Sequence, residues 1–272
     1  MPDLVTRIVR FLAWSRPYRA TFGVLGGSRV AAQVRRLWLD PPGTLVPIAI
    51  PGWPAPVWMR AHTSDLATFE QIFLARELDM SLPFDPRHIV DGGANVGFAS
   101  IYFAQRFPRA SILAVEFERA NFEVLTRNTE AWPAITPVHA AIRGRAERVG
   151  VRNKASESCA YEAMPVADGG VEGLTLEALL SRHRWNHVDI VKLDIEGSER
   201  DVLDASSAWL PSARAIAVET HDRLLPGCQA ALERAIAGPE WQRQTRGEYQ
   251  CAIRTGAASP DWSALERPGS VS

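Results

Sequence analysis

The sequence predicts an α/β fold: a mostly parallel sheet with helices on both faces. Three observations predict it. From residue 88 onward, short apolar runs alternate with segments of helical period. The stretch His88-Ile89-Val90-Asp91-Gly92-Gly93-Ala94-Asn95-Val96-Gly97 reads as a buried strand, a glycine-rich turn and a helix start. Acidic residues close the apolar runs at Asp91, Glu116, Asp194 and Glu219, and strand ends are where such sheets bind ligands.

The elements follow in order. Residues 1–38 read as helical, interrupted near Pro17 and the Gly26-Gly27 pair, and Pro41-Pro42-Gly43 breaks the pattern. Segments 46–50 and 57–61 read as strands around Pro51-Gly52-Trp53-Pro54, and Phe69, Ile72, Phe73 and Leu74 mark a short helix. The alternation then places strands at 88–90, 112–117, 138–142, 188–195 and 215–220. Helices fall at 97–107, 119–131, 176–183, 198–210 and 226–237. Residues 144–173 are polar and contain glycine, which suits an insert of short strands. Segments 241–246 and 249–254, across Arg246-Gly247-Glu248, read as a terminal hairpin. The expected division is a helical extension over 1–44, one domain including the first hairpin over 45–255, and a loose tail over 256–272.

A net charge of −1 excludes a global field for nucleic acid or an anionic membrane. Cys159, Cys228 and Cys251 are too few and too scattered for a disulfide framework or a zinc site, which fits a reducing, cytoplasmic compartment. No apolar run approaches transmembrane length. Leu4, Val5, Ile8, Val9, Phe11 and Leu12 form one face of an N-terminal helix. That face suits packing on the domain, a second copy in a homo-oligomer, or a membrane surface. Trp14, Trp38, Trp53 and Trp58 serve either as core of the extension or as a wall over the site.

The glycine turn carries the first chemical argument. A dinucleotide fingerprint needs G-x-G-x-x-G, and here the three positions are Gly92, Ala94 and Gly97. The missing middle glycine and the acid at Asp91 disfavour a pyrophosphate and favour a ligand with an ammonium group. S-adenosylmethionine carries a carboxylate, an ammonium and a sulfonium, and its ammonium and carboxylate suit Asp91 and the turn amides. Glu116, at the next strand end, has the two oxygens needed for both ribose hydroxyls. Ala140, Ala141 and Ile142 suit an adenine face as well as they suit core packing.

The second argument comes from strands four and five. Asp194 and Glu196 sit two apart on extended chain and share a side, and Lys192 shares the face of Asp194. Glu199 starts the next helix, where the dipole favours an anion. His221 follows strand five and faces Asp194 across the cofactor, placed to take a proton from a substrate hydroxyl. Asp194 is the second candidate base and Glu196 a supporting one. Asp194, Glu219 and His221 also offer a ligand set to a divalent ion, which nothing in the pattern demands. His62, His88, His139, His183 and His187 read as capped or surface imidazoles.

Together these residues resemble the FkbM family of S-adenosylmethionine-dependent methyltransferases. Arg60-Ala61-His62-Thr63-Ser64-Asp65 with Phe69 and Phe73 is similar to the family's R-x-x-T-S-D segment, and residues 90–97 to its D-x-G-A-N-x-G motif. Asn121, Phe122, Leu125 and Asn128 resemble its N-F-x-x-L-x-x-N helix. Residues 189–199 resemble D-x-x-K-x-D-I-E-G-x-E, and residues 218–221 resemble V-E-x-H. The resemblance spans about residues 45–240. It implies a Rossmann-like, seven-stranded methyltransferase fold with strand order 3-2-1-4-5-7-6. It also implies O-methylation of a sugar, glycan or polyketide hydroxyl. By position it implies that Asp91, Gly92, Gly93, Ala94, Asn95, Gly97, Glu116 and Ala141 hold the cofactor, with Ser64 and Asp65 closing over it. Where the family has Glu-Pro, this chain has Glu116-Phe117, a looser turn that keeps the acid. A nicotinamide-dependent oxidoreductase and a non-catalytic binding module of the same fold are the rival readings.

Overall fold

The computed structural model describes residues 4–153, 161–166 and 170–255. The expected tail over 256–272 lies outside the described residues. Three helices open the chain: α1 (Leu4–Trp14), α2 (Arg16–Phe22) and α3 (Val24–Val34). The breaks fall at Ser15 and Gly23; Pro17 sits in the first turn of α2, where its missing N–H costs nothing, and Gly26 and Gly27 lie inside α3. A hairpin of β1 (Leu45–Ile48) and β2 (Val57–Arg60) follows, then α4 (Asp65–Phe69), which continues as one π turn over Glu70–Leu74.

The main body runs β3 (His88–Gly92), α5 (Phe98–Arg106), β4 (Ser111–Glu116), α6 (Arg119–Thr129) and β5 (Ile135–His139). The insert contributes β6 (Ala141–Ile142), β7 (Glu147–Asn153), β8 (Tyr161–Pro165) and β9 (Val171–Leu174). Then come α7 (Leu176–Arg182), β10 (Val188–Leu193), α8 (Glu199–Asp204), β11 (Ala213–Glu219), α9 (Cys228–Ala235), β12 (Trp241–Arg246) and β13 (Tyr249–Arg254).

Seven strands form one sheet in the order β12-β13-β11-β10-β3-β4-β5. Counted along the main body, this is the expected 3-2-1-4-5-7-6. All neighbours are parallel except β13, which runs antiparallel to β11 and β12. The third strand ends at His139, before the expected 142. Ala141 and Ile142 leave the main sheet and pair with β9 in a four-stranded sheet of order β6-β9-β7-β8. The short segment Val138-His139-Ala140-Ala141-Ile142 did not reveal that the chain changes sheet at Ala140.

Alternation along the strands divides the core. Ile89, Ile112 and Ile190 point to one face, with α4, α5 and the N-terminal helices. Val90, Leu113 and Val191 point to the other, with α7, α8 and α9. All six residues of β10 are buried, as a central parallel strand requires. Each fully buried Val, Leu or Ile there contributes about 1.5–3 kcal/mol. Tyr18, Val30, Val34 and Leu37 share one apolar cluster with Ile89 and Phe98, so the N-terminal helices pack on the sheet layer. Of the four tryptophans, Trp14 and Trp53 join this packing, with Trp14 meeting Tyr18 and Trp53 meeting Phe73 and Trp132; Trp38 is half exposed against Trp14, and Arg127 lies over Trp58. None of the four lines the main cavity. No helix among the described residues is long and apolar enough to cross a membrane.

Local signals set the helix starts. Glu118 accepts the Asn121 N–H at 2.7 Å and caps α6, and Thr175 Oγ1 accepts the Ala178 N–H at 3.2 Å and caps α7. Parallel pairing brings the carboxyl ends of β3, β4, β10 and β11 to one edge, on either side of the point between β3 and β10 where the order reverses.

Candidate active site

A cavity of about 450 Å³ opens at that edge, a size typical of small-molecule sites. Of the residues expected to bind a cofactor, Ser64, Gly93, Ala94, Asn95, Glu116 and Ala141 line it. Asp194, Glu196, Glu219 and His221 line it as well. Asp65, Asp91, Gly92 and Gly97 do not; they stand behind the lining.

Each of these four has a structural reason. Asp65 is sealed by Arg60, whose backbone N–H and Nε reach Oδ2 at 2.7 and 3.0 Å while Nη2 reaches Oδ1 at 2.7 Å. It ties the end of β2 to the start of α4. Asp91 lies opposite Lys192 in the β3–β10 register; its Oδ1 is 3.2 Å from Nζ and its Oδ2 accepts the Ser100 hydroxyl at 2.6 Å. Gly92 is the last residue of β3, and Gly97 caps α5 beside Leu125.

The turn also differs from its expected use. The amides of Gly93 and Ala94 both donate to the Val115 carbonyl at 3.0 Å, and the Asn95 amide donates to Glu116 Oε2 at 2.8 Å. These three N–H groups are spent inside the protein, not offered to an anion. Lys192 Nζ donates to the Gly93 carbonyl at 2.8 Å and so fixes the turn from below. Asn95 keeps a buried Oδ1 with no hydrogen bond among the described residues, on the cavity wall. That orphaned acceptor fits a ligand carrying a donor, such as an ammonium group.

Glu116 is nearly sealed, and burial pushes its carboxyl up to about 7 against the pull of the Glu118 and Asn95 amides. Each oxygen takes one backbone N–H, from Glu118 at 2.7 Å and from Asn95 at 2.8 Å, and each keeps a second lone pair. Beside it lie Phe117, Ala140, Ala141 and Ile142, so the cavity is apolar at the end formed by β4 and the chain after β5.

The opposite end is ionic. Glu196 and Gly197 both have positive φ, 53° and 95°, and this loop turns the Glu196 side chain into the cavity. A non-glycine residue held there is strained, a feature concentrated at functional sites. Glu199 is buried; it accepts the Ile195 and Gly197 amides at 2.8 Å each and meets His221 Nδ1 at 2.8 Å. It therefore pins both the loop and the imidazole, which is more than the helix-start role expected of it.

His221 Nε2 faces Glu219 at 3.3 Å, Glu196 at 3.7 Å and Asp194 at 3.8 Å. Burial opposes the charged ring, but the bonds to Glu199 and Glu219 outweigh it and push the imidazole up to about 11. The expected base thus lies inside a ring of four carboxylates that favours its charged form. The carboxyls around it move the other way: burial raises Glu219, and burial with neighbouring negative charge raises Glu196 to about 8.

Asp194 Oδ2 takes the Tyr249 hydroxyl at 3.1 Å and lies 3.4 Å from Lys192 Nζ. Burial disfavours the Lys192 ammonium, yet Asp91 and Asp194 hold it above the usual lysine range. Tyr249 is buried, and burial beside Asp194 raises its phenol well above the ordinary value. Tyr249 was not foreseen, nor were Gln71, Glu77 and Glu248 at the mouth. Gln71 Nε2 donates to Glu77 and Glu248 at 3.1 Å each, and the Glu248 amide donates to Glu77 at 3.0 Å. These bonds join the segment after α4 to the β12–β13 turn.

Comparison with known proteins identifies the family of the chain. The profile described as Methyltransferase FkbM domain matches residues 91–230. The chain is 28% identical over 206 residues to Methyltransferase sdnD of Sordaria araneosa, covering 61% of this chain and 79% of that protein. It is 37% identical over 62 residues to Methyltransferase 1 of Beauveria bassiana, covering 22% of this chain but only 24% of that protein. Among solved structures, methyltransferase FkbM from Methylobacillus flagellatus is similar at 18% identity and a TM-score of 0.43, covering 63% of this chain and 44% of that one. The profile covers more than half of the sequence, and the chain belongs to the methyltransferase FkbM domain family.

Proposed function

We propose that the protein transfers the methyl group of S-adenosylmethionine to a hydroxyl of a sugar, glycan or polyketide-type small molecule. The observation that carries this reading is the polarity of the cavity. An apolar end with one buried acid, Glu116, suits an adenosine; an end of carboxylates and a buried imidazole suits the proton that a hydroxyl must lose. Asn95 Oδ1 and Glu116 would hold the amino-acid and ribose parts, and Ala141 with Ile142 the adenine. When bound, S-adenosylmethionine supplies an electrophilic methyl group. The protein aligns the acceptor oxygen with it and receives the proton. Glu196 is the residue for that task, because its buried Oε2 accepts no hydrogen bond among the described residues, whereas Asp194 is already engaged by Tyr249 and Lys192. His221 acts as a positioning residue within the carboxylate ring.

The reading is tested first by thermal shift with S-adenosylhomocysteine. At a hundredfold excess over Kd it should add about 2.7 kcal/mol, or several degrees, and NAD or NADP should add nothing. Stabilisation by a dinucleotide alone would establish the oxidoreductase instead. That outcome is disfavoured here, since the turn amides a pyrophosphate needs are spent on Val115 and Glu116. Glu196→Gln should lower kcat by about 10²-fold or more and leave S-adenosylhomocysteine affinity unchanged; an unchanged kcat removes Glu196 from the mechanism.

Glu116 predicts a pH dependence. Ribose hydroxyls donate, so they bind the ionised carboxylate. S-adenosylhomocysteine affinity should therefore rise with pH up to about 7, then level off, in calorimetric titrations. The effect on folding has the opposite sign. A carboxyl raised from 4.5 to about 7 adds stability below pH 4.5 that is lost as pH climbs to about 7. In Glu116→Gln both pH effects should vanish.

A further inference from the structure

We propose that the outer side of the N-terminal extension, helices α1–α3 with the turn after them, docks on the surface of an anionic lipid bilayer. This goes beyond the methyl-transfer reading and does not depend on it.

The first observation is where exposed apolar side chains stand. Among the described residues, every exposed large hydrophobic side chain lies in the extension: Val9, Leu12, Val24, Leu25, Trp38 and Leu39. Leu25 and Leu39 are 76% and 75% exposed. Single exposed leucines scattered over a surface are ordinary; their confinement to one appendage marks an interaction surface. The inner side of the extension is already spent. Tyr18, Val30, Val34 and Leu37 are buried in the core cluster, Phe22 stacks on Phe69, and the Tyr18 hydroxyl donates to Glu70. In α1, Phe11 and Trp14 pack against the same cluster, while Val9 and Leu12 stay exposed. Trp38 lies against Trp14 with ring centres 5.3 Å apart, so the end of α1 and the turn after α3 share a surface.

The second observation is charge. The first 38 residues hold seven of the chain's 30 basic residues and only one of its 31 acids, Asp3. A chain of net charge −1 is therefore divided into a basic extension and an acidic body. Arg36 pairs with Asp40, and Arg19 donates to the Leu12 carbonyl. Arg10, Arg16, Arg29 and Arg35 are exposed and meet no carboxylate among the described residues.

Exposed apolar tips, unpaired arginines and a half-exposed tryptophan are the composition of a segment that lies between headgroups and acyl chains. The arginines meet anionic headgroups, and the apolar tips enter the acyl boundary. At 11 residues α1 is far short of a span, so the contact is peripheral. Other occupants fit less well. A nucleic acid would use the arginines and leave the leucines in water. A second copy docked by the same face would set arginine against arginine.

The test is co-sedimentation of the untagged full chain with vesicles. Phosphatidylcholine vesicles containing about 30% phosphatidylglycerol should bind at least about tenfold more tightly than pure phosphatidylcholine. Raising salt from about 0.1 M to about 0.5 M should weaken that binding by at least about fivefold. Two combined variants separate the contributions. One carries Arg10→Gln, Arg16→Gln, Arg29→Gln and Arg35→Gln; the other carries Val9→Gln, Val24→Gln, Leu25→Gln and Leu39→Gln. All eight side chains are exposed, so both variants should keep the circular dichroism and urea midpoint of wild type. Each should lose at least about tenfold in affinity for the anionic vesicles. Folded wild type that does not bind them, or binds neutral vesicles equally, overturns the proposal. So does either variant, folded, binding them like wild type. A dimer in sedimentation equilibrium that the apolar variant dissolves, without vesicle binding by wild type, would overturn it in favour of a second copy.

Discussion

Asp91→Ala is expected to destabilise the protein by about 3–5 kcal/mol, the usual cost of breaking a buried ion pair from one side. Asp91 is fully buried, and its carboxylate is shared between Lys192 at 3.2 Å and the Ser100 hydroxyl at 2.6 Å. Removing it leaves the buried Lys192 with Asp194 as its remaining carboxylate, together with the carbonyl of Gly93. The measurement is urea denaturation of the single variant beside Asp91→Leu combined with Lys192→Met. The double change removes both charges and should cost clearly less than the single one. The sequence alone made Asp91 a direct cofactor ligand, and that reading predicts a different outcome. An Asp91→Ala protein of normal stability but without cofactor affinity would restore the direct contact and refute the buried pair.

The difference shows which kinds of information the sequence carries. The sheet was legible because Ile89 and Val90, or Val188, Ile190 and Val191, are β-branched runs ending in acids, and such runs pair only as central strands. The site acids were legible because they end those runs. What stayed hidden depends on who else arrives at the same point. His221 was expected to face Asp194 across the cofactor, yet its Nε2 lies 3.8 Å from Asp194 directly, and Glu199 and Glu219 close on its two ring nitrogens, which spacing does not reveal. Tyr249 reaches Asp194 only because β13 pairs with β11 in a register that sets Tyr249 against Glu219. The turn amides looked available until Val115 and Glu116, from the neighbouring strand, took them. Ala141 lines the cavity from a strand of the second sheet, a change of partner that its apolar neighbours conceal.

Gly93→Ala should cost about 2–5 kcal/mol and at least tenfold in S-adenosylhomocysteine affinity. A Cβ on Gly93 would stand 1.7 Å from the carbonyl oxygen of Asp194 and 2.7 Å from its carbonyl carbon, and the residue has a φ of +71°. The left-handed backbone costs an alanine about 1–2 kcal/mol, and overpacking adds about 1–3 kcal/mol. The obstacle is backbone, so no rotamer relieves it; the ends of β3 and β10 must move apart. Lys192 then loses its 2.8 Å bond to the Gly93 carbonyl, and Asp194 shifts with the strand that carries it. One methyl group thus disturbs the turn beside Asn95 and the acid at the far end together. Gly43→Ala is the control, because Gly43 has a similar φ of +77° and open space where the Cβ would go. It should show only the backbone cost, about 1–2 kcal/mol, with cofactor affinity intact. If the two variants melt alike and bind alike, close approach of β3 and β10 at Gly93 is not what shapes the cavity.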